Sequence, residues 1–265
     1  MLISIVIYPL VGLAAGLSAG LFGVGGGLII VPALVLCFTA LGVADGVIMP
    51  LAIGTSLSTI VVTSLSSVRA HHKMGNVDWA CWKALSPGIV LGVIFGVQAV
   101  AVLPAPLLKL SFGLFALFIA GQMMLAYQPS GGRALPGLTG LSVVGLIIGF
   151  FSALFGIGGG SMSVPYLSWC NVRMQVAVAT SAACGLPIAI VGALTNVLVG
   201  YDDPQLPALS SGFIYWPAFA GIAVCSIPAA IAGARLAQHL PAEQLKRYFA
   251  VFLACVGGGF ILGAV

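Results

Sequence analysis

Apolar segments follow one another along nearly the whole chain of 265 residues, and they limit what it can fold into. A helix that crosses a bilayer needs about 20 apolar residues, and most of these segments reach that length. The charged fraction is only 5%, too low to cover the surface of a soluble protein, where roughly 25% is usual. We therefore expect one all-α polytopic membrane domain. The segments are residues 3–22, 27–41, 47–68, 79–102 and 106–126, then 136–155, 161–170, 175–199, 212–236 and 243–264.

The two series of five segments share an internal repeat. The sequence FGVGGG at 22–27 returns as FGIGGG at 155–160, and a proline stands five residues after each run. Further matches keep the same order along the chain. They are Thr55 with Thr180, Trp79 with Trp216, Gly96 with Gly233, and Lys109 with Lys246. The sequence predicts repeat one at 1–128, a linker at 129–135 and repeat two at 136–265.

Charge predicts the orientation of the repeats. The loop at 69–78 is basic, whereas its counterpart at 200–211 contains two aspartates and no lysine or arginine. Placing loop 69–78 in the cytoplasm puts every Lys and Arg except Lys109 near the inner face, as the positive-inside rule requires. Corresponding loops then lie on opposite sides of the membrane, so we expect inverted repeats.

The glycine runs predict a break in a membrane helix. Irregular backbone is tolerated in a bilayer only where it is buried in protein or lines a cavity. A helix that starts after the run presents free N–H groups and a positive dipole end, which together favour an anion. The segment at 161–170 is also too short to span. We expect a substrate site near the middle of the membrane at Gly25, Gly26, Gly27, Gly158, Gly159 and Gly160. The alternative is that these glycines only allow close helix packing.

Hydroxyl side chains accompany both glycine runs. Each repeat has a Thr-Ser pair inside a long apolar segment, and a serine follows the second run. These hydroxyls could line the site and donate to a ligand oxygen, or they could bond to the helix backbone instead. The candidates are Thr55, Ser56, Ser161, Thr180 and Ser181.

Several classes of protein are excluded by what the sequence lacks. No Asp or Glu falls in the middle of a segment, so carboxylate proton relays and carboxylate sodium sites are not expected. No HExxH or other metal-ligand cluster is present, and the basic residues are scattered. We expect no enzyme activity, no metal or other cofactor, and no nucleic-acid partner; the expected partners are the lipid bilayer and a small anion.

The segments GLSAGLFGVGGGLIIVP, GTSL, GNVDW and FFSALFGIGGGSMSVP resemble the TauE/SafE (TSUP) family of sulfite exporters over nearly the whole chain. The resemblance implies a multi-pass transporter of the bacterial plasma (inner) membrane that exports sulfite or organosulfonates such as taurine or sulfoacetate. It leaves open a passive anion channel, uptake of a sulfur anion such as thiosulfate, and a homodimer. The second repeat has ATS for GTS and GFIYW for GNVDW, so equal roles for the two repeats are in doubt.

Overall fold

The computed structural model describes residues 2–22, 26–124, 135–236 and 242–263. Nearly all of these residues lie in helices. The helices are α1 (Leu2–Phe22), α2 (Gly27–Ala40), α3 (Asp45–Lys73), α4 (Trp79–Val102), α5 (Ala105–Met124), α6 (Leu138–Leu154), α7 (Gly160–Trp169), α8 (Met174–Val199), α9 (Trp216–Leu236) and α10 (Ala242–Ile261). A short hairpin, β1 (Ser210–Ser211) and β2 (Ile214–Tyr215), precedes α9.

Five of the described helices are long and apolar enough to cross a membrane. They are α3, α4, α5, α8 and the part of α9 from Trp216 to Gly233. Large apolar side chains also face outward, among them Phe118 (65% exposed) and Leu194 (61% exposed). Such exposure is stable only against lipid or another apolar surface. The prediction of an all-α polytopic membrane protein is confirmed.

The apolar stretch around each glycine run is divided into two helices, as predicted. α1 ends at Phe22 and α2 begins at Gly27; α6 ends at Leu154 and α7 begins at Gly160. Left-handed backbone occurs at Gly26 (φ 76°) and at Gly156 (φ 63°), a conformation that glycine adopts without steric cost. The second piece, α7, is only ten residues long. It covers about 15 Å at 1.5 Å per residue, half of the hydrocarbon thickness.

Two pairs of helices pack closely through glycines. α4 lies against α6, where Gly88, Gly92 and Gly96 meet the backbone of Ser142, Leu146 and Phe150. Residue numbers rise together along this contact, so the two helices are parallel. α1 and α9 form a second parallel pair. Small residues at such contacts let helix backbones approach closely and are typical of membrane interfaces.

The two parallel pairs use equivalent residues. Each repeat contributes one helix to each pair, and exchanging the repeats maps one set of contacts onto the other. The equivalent contacts are Gly12–Ile222 with Gly145–Leu85, Gly16–Ser226 with Gly149–Ile89, and Gly233–Leu17 with Gly96–Phe150. The contacts of the two pairs thus lie at positions that the predicted repeat makes equivalent.

Corresponding helices of the two repeats run antiparallel where they meet. Between α3 and α8, Gly54 lies by Asn196 near one end and Ser64 lies by Gly185 further along. Between α5 and α10, Gly113 lies by Phe260 and Leu117 by Gly257. Antiparallel packing of equivalent helices is the arrangement that an inverted repeat requires.

Candidate functional site

The first glycine run lies directly against the second. The carbonyl oxygen of Gly26 accepts hydrogen bonds from the N–H groups of Ile29 (3.0 Å) and Ile30 (3.1 Å), which starts α2. A Cβ atom added at Gly27 would overlap the carbonyl oxygen of Gly156 and lie 2.8 Å from the Cα atom of Ile157. The two breaks thus meet inside the protein, and only glycine fits at this contact.

The turn at Gly156 is held by a hydroxyl from the other repeat. Ser56 is fully buried, and its Oγ donates a hydrogen bond of 2.7 Å to the carbonyl oxygen of Gly156. This bond occupies the donor of Ser56. In the structure Ser56 therefore supports the second glycine run and does not offer its hydroxyl proton to a ligand.

The start of α7 carries free backbone donors. The carbonyl oxygen of Gly159 accepts from the N–H groups of Met162 (3.3 Å) and Ser163 (2.8 Å). In contrast, the N–H groups of residues 158–161 donate to no acceptor within the part of the chain that the structure describes. Free N–H groups at the positive end of the helix dipole make a neutral anion-binding site.

A cavity opens beside this helix start. The cavity is small, and the centre of a water-sized sphere can reach about 20 Å³ of it. The residues around it are small or hydroxylated, and none of them is charged. They are Ala19, Thr63, Ser64, Ser67, Gly158, Gly159, Ser181, Ala182, Gly185 and Ala230.

Three buried hydroxyls near the cavity lack a hydrogen-bond partner among the described residues. Ser163 and Ser181 are fully buried, and Ser161 is 5% exposed. The Oγ of Ser163 lies 3.3 Å from the place that a Cβ on Gly159 would take, and Ser181 lines the cavity itself. An unpaired buried hydroxyl costs roughly 1–3 kcal/mol and points to a ligand, an ion or water that completes the site.

The cavity lies nearer to the basic loop at 69–78 than to the loop at 200–211. Along α3, Thr63 and Ser64 are buried, Ser67 is half-buried, and Arg69 is exposed. On α8, Ser181 lies near the start of the helix, which is the end that packs beside this part of α3. The cavity residues on α3 and α8 therefore lie in the half of this helix pair that is nearer to loop 69–78.

The structure brings together some of the predicted site residues. Gly158, Gly159 and Ser181 line the cavity, and Gly160 and Ser161 form the first turn of α7 beside it. Gly26 and Gly27 pack against other parts of the protein, and Gly25 lies outside the described residues.

The two predicted threonines make hydrogen bonds within the protein and are not among the lining residues. Thr55 Oγ1 accepts from the N–H of Tyr215, and Thr180 Oγ1 accepts from the N–H of Asp78, both at 3.0 Å. Each threonine thereby connects a long helix to the segment that precedes α9 or α4. A role for either threonine in contacting a ligand stays a prediction.

Sequence reasoning missed the wall formed by α3. Thr63, Ser64 and Ser67 line the cavity, and Gly185 faces Ser64, whose Oγ would lie 3.1 Å from a Cβ at that glycine. A signal was present, because Thr63 and Ser67 are four residues apart and so lie on one helix face. Hydroxyls at that spacing in an apolar helix indicate a polar surface within the protein.

Metal ligation has no support in the described residues, which contain no group of three His, Cys, Asp or Glu side chains placed to hold an ion. The donors at the cavity are amide N–H and hydroxyl groups. Such donors suit an oxyanion, whereas a transition-metal ion is usually held by carboxylate, imidazole or thiolate ligands.

Comparison with known proteins identifies relatives over almost the full length. The sequence model of the family described as Sulfite exporter TauE/SafE matches residues 8–260. A probable membrane transporter protein of Haemophilus influenzae is 37% identical over 249 residues, which is 93% of this chain and 94% of the relative. Another from Methanocaldococcus jannaschii is 28% identical over 252 residues, 94% of this chain and 92% of the relative. No solved structure matches the chain.

Proposed function

The chain belongs to the sulfite exporter TauE/SafE family and is a membrane transport protein, and we propose that it exports a small sulfur-containing oxyanion. Sulfite and organosulfonates are the substrates in question. The observation that carries the proposal is the hydroxyl of Ser181, which is fully buried, without a partner among the described residues, and on the wall of the cavity at the start of α7.

The chemistry of the cavity suits an anion with several oxygen atoms. The backbone N–H groups of Gly158 and Gly159 and the hydroxyls of Ser64 and Ser181 come from three different elements, so they can surround one ligand. Sulfite and sulfonate each present three oxygen acceptors. Hydrogen bonds to an ionised group are roughly twice as strong as neutral ones, so a few donors can replace part of the hydration shell.

Neutral donors also fit the needs of a carrier. A buried lysine or arginine would pair with the anion strongly and would itself be costly to hold in the membrane. Amide and hydroxyl donors bind the anion without adding charge, so burying the empty site costs less free energy than burying a lysine or arginine there. We propose that this balance lets the protein release its substrate after each transport step.

The charge distribution supports the direction of transport that we propose. We propose inverted repeats with loop 69–78 in the cytoplasm, which makes the cavity open to the cytoplasm and able to load an intracellular anion. The inside-negative potential favours outward movement of each negative charge by about 2.3 kcal/mol per 100 mV. The antiparallel packing of α3 against α8 supports this arrangement.

Calorimetry on the purified protein tests the function. The panel is sulfite, taurine, sulfoacetate, thiosulfate, sulfate and chloride, titrated into the unaltered chain, Ser181→Ala and the control Ser58→Ala. Ser58 is also buried, but its Oγ donates to the carbonyl of Gly54 in its own helix. We expect a sulfur oxyanion to bind and its affinity to fall about tenfold or more in Ser181→Ala, since a hydrogen bond to a charged group contributes roughly 1.5–3 kcal/mol.

The stability of the variants separates a ligand contact from a structural one. Ser181→Ala removes an unpaired hydroxyl, so without anion its thermal unfolding midpoint should stay the same or rise. A lower midpoint together with unchanged affinity would contradict the proposed role. Binding of chloride but of no sulfur oxyanion would contradict the substrate class.

A further inference from the structure

Every cavity residue has a counterpart in the other repeat, because the two repeats match residue by residue. On the α3–α8 pair the matching residues are 125 apart, as for Thr55 and Thr180; on α4 and α9 they are 137 apart, as for Trp79 and Trp216. These separations also reproduce the structural contacts, since Thr55–Tyr215 corresponds to Thr180–Asp78. The counterpart of the cavity can therefore be located in the structure.

The counterpart residues are bulky where the cavity residues are small. Ala182 corresponds to Leu57, Gly185 to Ile60, and Ala230 to Val93. Leu57, Ile60 and Val93 are all fully buried, and we call these three residues the apolar plug. Three cavity hydroxyls are also lost, since Thr63 corresponds to Ile188, Ser64 to Ala189 and Ser67 to Gly192.

The apolar plug fills the space that a second cavity would occupy. Gly192 is the counterpart of Ser67, which lines the cavity. A Cβ atom on Gly192 would lie 2.8 Å from Cδ1 of Leu57 and 3.5 Å from Cγ1 of Val93. The hydroxyl of Ser56, the counterpart of Ser181, is occupied by the carbonyl of Gly156. Ser152, the counterpart of the cavity residue Ala19, keeps a fully buried hydroxyl without a partner among the described residues. The bulk of Leu57 and Val93, and not a lack of donors, therefore closes this space.

We propose that the apolar plug is the barrier that separates the anion in the cavity from the side of loop 200–211. The proposal rests on the proposed transport function. An anion cannot enter a space lined by Leu, Ile and Val without losing its hydration, and the plug offers no donor in exchange. Transport thus requires the plug residues to move away from Gly192. While they stay in place, they close the protein on the side of loop 200–211.

A matched pair of single cysteines tests the barrier. Ser64→Cys reports on the cavity, and Ala189→Cys reports on the equivalent position beside the plug; Ala189 is fully buried. Both are placed in a chain whose six native cysteines are changed to alanine or serine, reconstituted in vesicles, and treated with a membrane-impermeant thiol reagent from either side. This measurement needs no substrate.

We expect Ser64→Cys to react from the side of loop 69–78 and Ala189→Cys to react at least tenfold more slowly from either side. Adding Leu57→Ala and Val93→Ala should raise the reaction of Ala189→Cys at least tenfold from the side of loop 200–211 only. If the double change prevents folding, the single change Leu57→Val should give a smaller increase from the same side.

The proposal would be overturned if Ser64→Cys and Ala189→Cys reacted at equal rates while the three plug residues are unchanged. The proposal would also be overturned if the changes Leu57→Ala and Val93→Ala raised the reaction of Ala189→Cys from the side of loop 69–78. The outcome is distinct from a failure of the proposed function, which would show as absence of anion binding while the difference between Ser64→Cys and Ala189→Cys persists.

Discussion

The side chain of Thr180 accepts a hydrogen bond of 3.0 Å from the backbone N–H of Asp78, a residue 102 positions earlier in the chain. Thr55 makes the equivalent bond to the N–H of Tyr215, also at 3.0 Å. Both threonines are fully buried, so each is the partner that keeps a backbone donor satisfied at the start of α4 or α9.

The paired threonines predict equal losses of stability. Thr55→Val and Thr180→Val keep the side-chain shape but leave one N–H unpaired, which costs roughly 1–3 kcal/mol. We expect each to lower the midpoint of thermal unfolding in detergent by a similar amount. Thr195→Val is the control, because Thr195 bonds only to the carbonyl of Val191 in its own helix. A loss in one variant alone would show that the two bonds are not equivalent.

The contact between the two glycine runs predicts that Gly27 tolerates no side chain. In Gly27→Ala the new methyl group overlaps the carbonyl oxygen of Gly156, and overpacking of this kind costs typically 1–3 kcal/mol. The unfolding midpoint should fall. Gly121→Ala is the matched control, since no atom lies within 4 Å of its added Cβ and alanine favours the helix. An unchanged midpoint for Gly27→Ala would mean that the runs do not touch.

The proposal of inverted repeats predicts that equivalent loops face opposite sides of the membrane. Single cysteines at Met74 and Tyr201, which are 50% and 74% exposed, should react with an impermeant reagent from opposite sides of oriented vesicles. Met74→Cys should react from the cytoplasmic side, because it lies in the basic loop. Reaction of both from one side would be incompatible with inverted repeats.

Export driven by the membrane potential predicts electrogenic flux. In proteoliposomes without other gradients, an imposed potential of 100 mV should drive a monovalent sulfur anion toward the positive side. At about 2.3 kcal/mol per charge, the limiting concentration ratio is about fifty-fold. Flux is followed by the substrate remaining inside, with protein-free liposomes as the control. A flux that does not change with the imposed potential would count against this energy source.

The fold could be predicted closely because length and glycine content act locally. The short segment expected at 161–170 is a helix at Gly160–Trp169, and the expected segment at 79–102 is the helix Trp79–Val102. Apolar length determines which segments can span, and glycine weakens a helix locally. The runs at 22–27 and 155–160 divide the helices, whereas the three glycines at 257–259 remain inside α10. Apolar length does not depend on distant contacts, so the sequence alone is informative about which segments can span.

The site could be predicted only in part, because the repeat pattern predicts the same role for residues at equivalent positions. Ser56 and Ser181 occupy matching positions, but Ser56 meets the carbonyl of Gly156, whereas Ser181 has no partner among the described residues. Such a difference depends on tertiary contacts that no local pattern contains. Thr63 and Ser64 were missed for a related reason, since their counterparts Ile188 and Ala189 carry no hydroxyl.

The most direct test is a crystal structure of the protein with selenite, the selenium counterpart of sulfite. Selenium scatters X-rays anomalously, so its position is found independently of the protein model. We expect one strong anomalous peak in the cavity, within hydrogen-bonding distance of the Ser181 hydroxyl and of an N–H group at Gly158 or Gly159. A peak beside Leu57 and Val93, or none in the cavity at a concentration that saturates binding, would contradict the account.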